Sequence, residues 1–353
     1  MRATLVYGDH DVRVQEVPDP ELREPTDALV EVVLGCVCGS DLWGYRSGQT
    51  FDPPRRGGHE FLGVVREVGA EVRTVTPGQL VIAPFVWSCG ECFYCVRGLQ
   101  TSCIRGGGWG APGSDGGQGE AVRVPLADGT LVAAPVDTDD ERMPALLPLT
   151  DVLGTGHHAA VSAGVHEGST VTVVGDGAVG LCATLASRRL GASRIIVLSR
   201  NPRRSKIAST FGATDIVSER GDEGAAYVRE LTDGFGTDYA LECVGTDQSW
   251  QSALGAVRDG GRIGYVGVPV GVSEWISAGS LYGRNVGIGG GVAPVRRYLP
   301  ELMADVLDGT LDASPVFDME VDMEHVPDGY AAMDERRAIK ALVTVSDIEE
   351  SSL

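Results

Sequence analysis

Residues 170–180 read Thr170-Val-Thr-Val-Val-Gly-Asp-Gly-Ala-Val-Gly180, and a helical spacing of apolar residues follows as far as Leu190. The β-branched run predicts a buried strand, the glycines predict a tight turn, and the residues after them predict a helix. In this order the glycines match a dinucleotide fingerprint, in which small residues let a pyrophosphate approach the N-terminus of the helix. The alternative is a tight turn without a ligand. The residues predicted to contact the dinucleotide here are Gly175, Gly177, Ala178, Val179 and Gly180.

Strand and helix patterns continue to alternate after this turn. Strands are predicted at 194–198, 215–217, 238–244 and 262–268, with a helical pattern before each of the later ones. Such alternation is typical of a parallel sheet that carries helices on both faces. We therefore predict an α/β protein in which residues 153–291 form a Rossmann domain with a doubly wound parallel sheet.

The second strand ends in Ser199-Arg-Asn201, without the carboxylate that grips the adenosine ribose in NAD enzymes. Seven basic residues and no acidic residue lie from Arg188 to Lys206, although the whole chain has a net charge of −20. A hydroxyl and guanidinium groups suit a 2′-phosphate. We predict NADP(H) rather than NAD(H), with contacts from Ser199, Arg200 and Arg204. The alternative is a solvated basic helix end.

Four of the eight cysteines form a close group along the chain, at Cys89, Cys92, Cys95 and Cys103. In a reducing compartment thiols stay unpaired, and four thiolates suit a closed tetrahedral zinc site. An iron–sulfur cluster is the rival use of this spacing, and disulfides are the least favoured. We predict a structural zinc ion.

A second group of side chains able to bind a metal lies nearer the start of the chain. Cys38 is followed by Gly-Ser40-Asp41, and Gly58-His59-Glu60 comes about twenty residues later. A lone histidine is more often structural, but a cysteine and a histidine together in a chain that already suggests zinc favour a second metal site.

Length and charge narrow the class of protein further. The 353 residues suggest about two domains. A net charge of −20 disfavours a nucleic-acid partner, because phosphate backbones need cationic surfaces. No run reaches the roughly 18 apolar residues of a membrane helix, and Arg2, Asp9 and Asp11 lie where a signal peptide would be apolar. We expect a soluble, cytoplasmic protein without a membrane partner.

Taken together, these motifs resemble the medium-chain, zinc-dependent alcohol dehydrogenase family in order and spacing over nearly the whole chain. The motifs are Cys38-Gly-Ser-Asp41, Gly58-His-Glu60, the four cysteines and the glycine turn. The resemblance implies a GroES-like, β-rich catalytic domain built from residues 1–152 and 292–353, with the Rossmann domain inserted between them. It also implies a homotetramer or a homodimer.

The resemblance implies a catalytic zinc ion as well, and so two zinc ions per chain. The family's third ligand lies just before the nucleotide domain, where Thr150-Asp151 resembles the form that uses aspartate. Cys38, His59 and Asp151 would leave a fourth position open, as a catalytic zinc requires. The alternative for Asp151 is a helix N-cap.

Further roles come from the same resemblance. Ser40 matches the hydroxyl that takes the alcohol proton, Asp41 matches the carboxylate that orients the histidine ligand, and Glu60 matches a group that approaches the zinc during ligand exchange. Gly267 and Gly290 match positions near the nicotinamide.

One position departs from the family pattern, because Trp43 stands where many relatives have a histidine that carries the proton onward. Trp43, Phe85 and Trp109 resemble residues that line the substrate pocket, and core packing is the alternative for each. Apolar walls of this kind favour small or medium aliphatic or aromatic alcohols and their carbonyl partners.

The expected function is therefore that of a zinc-dependent oxidoreductase, an alcohol dehydrogenase or carbonyl reductase that uses NADP(H). The alternative is a zinc-stabilised, NADP-binding regulatory or scaffold protein that lacks the catalytic zinc.

Overall fold

The computed structural model describes residues 1–269 and 277–346. The chain forms two compact units, one of Met1–Asp151 with the residues from Pro294 onward, the other of Val152–Ala293. The units divide at 151/152 and 293/294, where the sequence analysis places 152/153 and 291/292. No helix within the described ranges is both long enough and apolar enough to cross a bilayer.

The first unit begins with a series of strands and short helices. Its strands are β1 (Arg2–Gly8), β2 (Asp11–Glu16), β3 (Ala28–Cys36), β4 (Arg55–Arg56), β5 (Phe61–Val68), β6 (Leu80–Ala83), β7 (Val86–Trp87), β8 (Gly107–Gly108), β9 (Ala121–Val124) and β10 (Val132–Ala133). Its helices here are α1 (Asp41–Tyr45), α2 (Ala127–Thr130) and α3 (Met143–Leu146). Strand β3 is buried along almost its whole length, as a strand in the middle of a sheet should be.

The second unit is a six-stranded parallel sheet with helices between the strands. The helices are α4 (Val152–Ala163), α5 (Ala178–Arg189), α6 (Pro202–Thr210), α7 (Gly221–Glu230), α8 (Asp247–Ala256) and α9 (Ala278–Arg284). The strands are β11 (Thr170–Val174), β12 (Arg194–Leu198), β13 (Asp215–Val217), β14 (Thr237–Glu242), β15 (Val257–Tyr265) and β16 (Gly287–Gly290). Their order is β13-β12-β11-β14-β15-β16, which is the doubly wound arrangement. The predicted doubly wound sheet is confirmed.

The first unit is completed by the last part of the chain, with α10 (Val295–Leu307), β17 (Met319–Asp322), α11 (Val326–Asp334) and β18 (Ala341–Thr344). Strand β18 lies between β3 and β17 in a sheet of order β10-β6-β5-β3-β18-β17, to which β9 adds through β3. The β-rich character predicted for this unit is therefore present, and its core draws on both ends of the chain.

Candidate metal and cofactor sites

The first candidate metal site is assembled at the ends of paired strands in the first unit. Cys38 follows β3, and His59 and Glu60 directly precede β5, which pairs antiparallel with β3 through Gly35 and Phe61. Asp151 follows a short 3-10 helix, Leu147–Thr150, and directly precedes α4. Hydrogen-bonded pairing of β3 with β5 thus brings side chains about twenty residues apart to one place.

The donor atoms of this group are spaced as ligands of one ion would be. The Cys38 sulfur lies 3.8 Å from Asp151 Oδ2, and His59 Nε2 lies 3.4 Å from the same oxygen. With usual zinc–ligand lengths, a tetrahedral site would place a sulfur about 3.6 Å and a nitrogen about 3.4 Å from an oxygen. Cys38, His59 and Asp151 therefore fit a zinc ion by chemistry and by spacing, and a Glu60 oxygen lies within 4.8 Å of the same donor atoms.

Asp41 connects two members of this group. One of its carboxylate oxygens lies 3.1 Å from His59 Nδ1, and the other accepts a hydrogen bond from the Cys38 backbone N–H at 2.9 Å. A carboxylate on Nδ1 leaves Nε2 to face the site, which is the usual arrangement behind a metal-bound imidazole. Ser40 Oγ lies 3.4 Å from His59 Nε2 and so beside the same atoms.

Electrostatics inside the group reflect its burial and its acids. Burial by itself lowers the pKa of His59, but the negative charges of Asp41 and Cys38 outweigh it and raise that pKa well above the ordinary value. Burial also raises the pKa of the Cys38 thiol, and the Lys340 ammonium opposes this rise.

Lys340 is a residue of this region that sequence reasoning missed. Its ammonium lies 2.5 Å from Glu60 Oε1, with side-chain exposures of 1% for the lysine and 0% for the glutamate. The other Glu60 oxygen accepts from the Thr150 hydroxyl at 3.4 Å, and His59 Nε2 lies 3.9 Å from Oε1. A lysine immediately before the apolar strand β18 was the signal available in the sequence.

The four-cysteine group forms the second candidate metal site, and the structure brings its four sulfurs together. Neighbouring sulfurs lie 3.5 Å apart in the pairs Cys92–Cys95 and Cys89–Cys103, and 3.9 Å and 4.0 Å apart in Cys92–Cys103 and Cys89–Cys95. Four thiolates around one zinc ion would be about 3.8 Å apart. Backbone N–H groups of Cys95 and Ile104 lower the pKa of Cys92 to about 6, so a thiolate is available there.

The three aromatic residues predicted to line a pocket lie in different surroundings. Trp43 belongs to α1 and is 42% exposed, and Phe85 is half-buried next to Thr150, whose carbonyl accepts from its backbone N–H. Trp109 is buried in the core of the first unit, packs against Phe61 and Trp87, and donates its indole N–H to a backbone carbonyl. The geometry of Trp109 favours the alternative of core packing.

In the second unit the turn between β11 and α5 has the backbone form that a dinucleotide needs. Gly175 has φ +120°, and a Cβ on Gly180 would lie 2.0 Å from the Gly175 carbonyl oxygen. A Cβ on Gly177, at the start of α5, would meet open space. The N-cap residue, Gly177, has no side chain to cap this helix, so the first N–H groups of α5 fit a pyrophosphate as their partner.

Two of the three residues predicted to hold a 2′-phosphate, Ser199 and Arg204, contact the Asp176 side chain of this turn. Ser199 Oγ donates to Asp176 Oδ2 at 2.9 Å, and Arg204 Nη1 lies 3.3 Å from Asp176 Oδ1. Arg200 donates from Nε to the Ser218 carbonyl at 2.9 Å. Sequence reasoning did not include Asp176, because it lies in the glycine turn and not after the second strand.

Gly267 and Gly290 both lie at the carboxyl edge of the parallel sheet, after β15 and at the end of β16. A Cβ on Gly267 would lie 2.2 Å from the Gly245 nitrogen, and one on Gly290 would lie 2.0 Å from the Tyr265 oxygen. Close backbone approach therefore already requires a glycine at both positions.

Comparison with known proteins gives consistent results for both units. Residues 24–135 match the alcohol dehydrogenase GroES-like domain, which confirms the predicted fold class of the first unit, and residues 178–307 match the zinc-binding dehydrogenase domain. A probable zinc-binding alcohol dehydrogenase of Mycobacterium tuberculosis is 37% identical over 94% of this chain and 85% of its own length.

Solved structures give the same picture. The alcohol dehydrogenase TADH from Thermus sp. ATN1 has a TM-score of 0.90 with 33% identity, over 98% of this chain and 100% of its own. A putative zinc-binding dehydrogenase from Sinorhizobium meliloti 1021, bound to NADP, has a TM-score of 0.80 with 25% identity, over 97% of this chain and 98% of its own.

Proposed function

This chain belongs to the medium-chain, zinc-dependent alcohol dehydrogenase family and is an oxidoreductase, and we propose that it transfers a hydride between NADP(H) and an alcohol/carbonyl pair. The proposal includes two zinc ions per chain, one at Cys38, His59 and Asp151 and one at the four cysteines. It also includes a cytoplasmic homotetramer or homodimer. All eight cysteines lie in the described part of the chain and none forms a disulfide, which supports a reducing compartment.

The observation that carries the proposal is the spacing of one sulfur, one nitrogen and one carboxylate oxygen around a common point. A zinc ion there would lower the pKa of an alcohol or polarise a carbonyl, and the nicotinamide would accept or give the hydride. Three protein ligands leave the fourth position for the substrate, in contrast to the closed set of four thiolates.

Neighbouring side chains would orient the ligands and move the proton. Asp41 holds the His59 ring through Nδ1 and the Cys38 backbone through its N–H, so one carboxylate positions two ligands. Ser40 Oγ, 3.4 Å from His59 Nε2, is within reach of a group bound at the open position and would take the alcohol proton. Glu60, held by Lys340, would approach the metal during ligand exchange.

The preference for NADP(H) rests on charge. Arg200, Arg204 and the Ser199 hydroxyl gather after β12, where an NAD enzyme usually has a carboxylate. One solved relative is described as bound to NADP, which supports the same choice. For the substrate, exposed Trp43 and half-buried Phe85 favour apolar groups, so we propose small or medium aliphatic or aromatic alcohols.

The test compares Cys38→Ala with Cys36→Ala. Cys36 is a buried cysteine two residues away, at the end of β3, and serves as the matched control. We expect Cys38→Ala to hold one zinc ion per chain and to lose turnover, with the melting temperature preserved by the untouched cysteine group, whereas Cys36→Ala holds two and stays active. Full zinc content and activity in Cys38→Ala would refute the metal assignment, and a wild type with one zinc ion would favour the scaffold alternative.

Cofactor and substrate class are tested by initial rates. Both cofactors are measured against a panel of primary, secondary and aromatic alcohols and their carbonyls. Arg200→Asp should shift the preference toward NAD(H), because it adds the carboxylate that the second strand lacks. An unchanged preference for NADP(H) in that variant would count against the site.

A further inference from the structure

A carboxylate reaches the adenosine end of the cofactor site from an unexpected element. Strands β11 and β12 pair in parallel with Val174 opposite Leu198, so the residues that follow them emerge side by side at the carboxyl edge of the sheet. Asp176 lies two residues after Val174, and Ser199 directly follows Leu198. This register explains why a side chain of the glycine turn meets the end of the second strand.

The contacts of Asp176 occupy both of its oxygens. Oδ2 accepts from the Ser199 hydroxyl at 2.9 Å, and Oδ1 lies 3.3 Å from a guanidinium nitrogen of Arg204. The Ser205 hydroxyl in turn donates to Ser199 Oγ at 3.0 Å. The side chains of Asp176 and Arg204 are each 17% exposed, so this ion pair is only partly screened by water. Of the two arginines predicted to bind a 2′-phosphate, Arg204 is therefore already paired with a carboxylate.

We infer that Asp176 is a specificity-determining residue of the cofactor site, and that its carboxylate limits the preference for NADP(H). The inference rests on the proposed function, because it concerns the same site. In NAD(H), the ribose 2′-hydroxyl can donate to this carboxylate, as it does to the acidic residue after the second strand in NAD enzymes. In NADP(H), the 2′-phosphate meets the carboxylate as a like charge and competes with it for Arg204.

The residues after β12 and in the glycine turn therefore form two sets with opposite effects on the choice of cofactor. Arg200, Arg204 and the Ser199 hydroxyl favour a phosphate, and Asp176 favours a hydroxyl. The chain accordingly uses both cofactors, with a smaller preference for NADP(H) than its arginines alone would give. Replacing Asp176 by asparagine, which is neutral and has the same shape, would remove the group that favours a ribose hydroxyl and leave the groups that favour a phosphate.

The test uses the full chain with Asp176→Asn, whose amide oxygen still accepts from Ser199. Two probes are titrated by calorimetry, adenosine 5′-monophosphate and adenosine 2′,5′-bisphosphate, so the readout requires neither turnover nor a complete cofactor. Asp233→Asn is the matched control, because it removes the same charge from an exposed turn after α7, before β14, at the opposite edge of the sheet. Asp233 has φ +52°, which asparagine also tolerates.

We expect Asp176→Asn to raise the affinity ratio of bisphosphate to monophosphate by about tenfold or more relative to wild type, since a charged hydrogen bond and a like-charge repulsion are lost together. Asp233→Asn should leave the ratio within about twofold of wild type. Thermal unfolding confirms that each variant is folded, and Asp176→Ala replaces the asparagine variant if that one melts at the assay temperature.

The outcomes separate this inference from the proposed function. An Asp176→Asn ratio equal to that of wild type or of Asp233→Asn overturns the inference and leaves the NADP(H) proposal standing. A wild type that binds the monophosphate more tightly overturns the NADP(H) proposal, and a raised ratio in Asp176→Asn then still supports the role of Asp176. The same ordering should appear in kcat/KM for the two cofactors.

Discussion

Replacing Lys340 by methionine should destabilise the first unit strongly, because it would leave the Glu60 carboxylate without its partner. The two side chains are 0% and 1% exposed, and the ammonium lies 2.5 Å from one carboxylate oxygen. The other carboxylate oxygen, Oε2, accepts a hydrogen bond from the Thr150 hydroxyl at 3.4 Å, which is too long to replace the ammonium. Removing one partner of a buried pair costs about 3–5 kcal/mol, and we expect a loss in this range.

The assay is urea unfolding of the zinc-loaded chain, followed by tryptophan fluorescence, with Trp87 and Trp109 reporting on the first unit. The chain has one other lysine, the exposed Lys206 on α6, and Lys206→Met is the matched control, with an expected change below about 0.5 kcal/mol. Glu60→Gln combined with Lys340→Met should recover at least about 2 kcal/mol of the summed single losses. A single-variant loss below about 1 kcal/mol, or strict additivity, would refute the reasoning.

Three further outcomes are expected. Cys95→Ser should hold one zinc ion fewer and melt at least about 5 °C lower; calorimetry with metal analysis checks this, and full zinc content with an unchanged melting temperature would contradict it. Gly180→Ala would put a Cβ 2.0 Å from the Gly175 oxygen, so calorimetric affinity for NADP(H) should fall at least about tenfold; equal affinity would argue against a cradle at this turn. At Asp238, burial raises the carboxyl pKa, but the Thr170 N–H and the other donors outweigh it and hold that pKa below its ordinary 3.8. The carboxylate therefore stabilises the fold above about pH 4 and loses this effect as the pH falls through the folded pKa. Asp238→Asn should cost about 1–2 kcal/mol at pH 7 and progressively less as the pH falls below about 4, measured by urea unfolding, and a difference independent of pH would count against it.

The sequence predicted those parts of the sites that are local along the chain. The glycine turn lies between β11 and α5 because a β-branched run, three glycines and a helical pattern follow one another without a gap. The four cysteines lie within 15 residues of the chain, so their spacing alone limited the alternatives to a zinc site, an iron–sulfur cluster or disulfides. Cys38 and His59 were recognised from two short motifs that resemble the family pattern, whereas the pairing of β3 with β5, which brings them together, was not predicted.

Contacts between distant residues could not be predicted in this way. Lys340 and Glu60 are 280 positions apart, and hydropathy makes a lysine look exposed unless its partner is known. Asp176 was overlooked because acidic residues were sought only around the end of the second strand, β12. The parallel pairing of β11 with β12 places the residues after β11 beside those after β12. Trp109 could be assigned to core or pocket only after its neighbours Phe61 and Trp87 were placed.

The position of β18 beside β3 has a consequence for the folding of this chain during translation. Residues 342–344 pair with Leu34, Gly35 and Cys36. Part of one edge of β3 therefore stays unpaired until about 300 further residues have been synthesised. At 5–20 residues per second that delay is about 15–60 s, whereas Val152–Ala293 is one uninterrupted segment that emerges complete before it. We expect the nucleotide-binding half to mature first, and the nascent N-terminal strands to depend on chaperones to shield their open edge until translation ends.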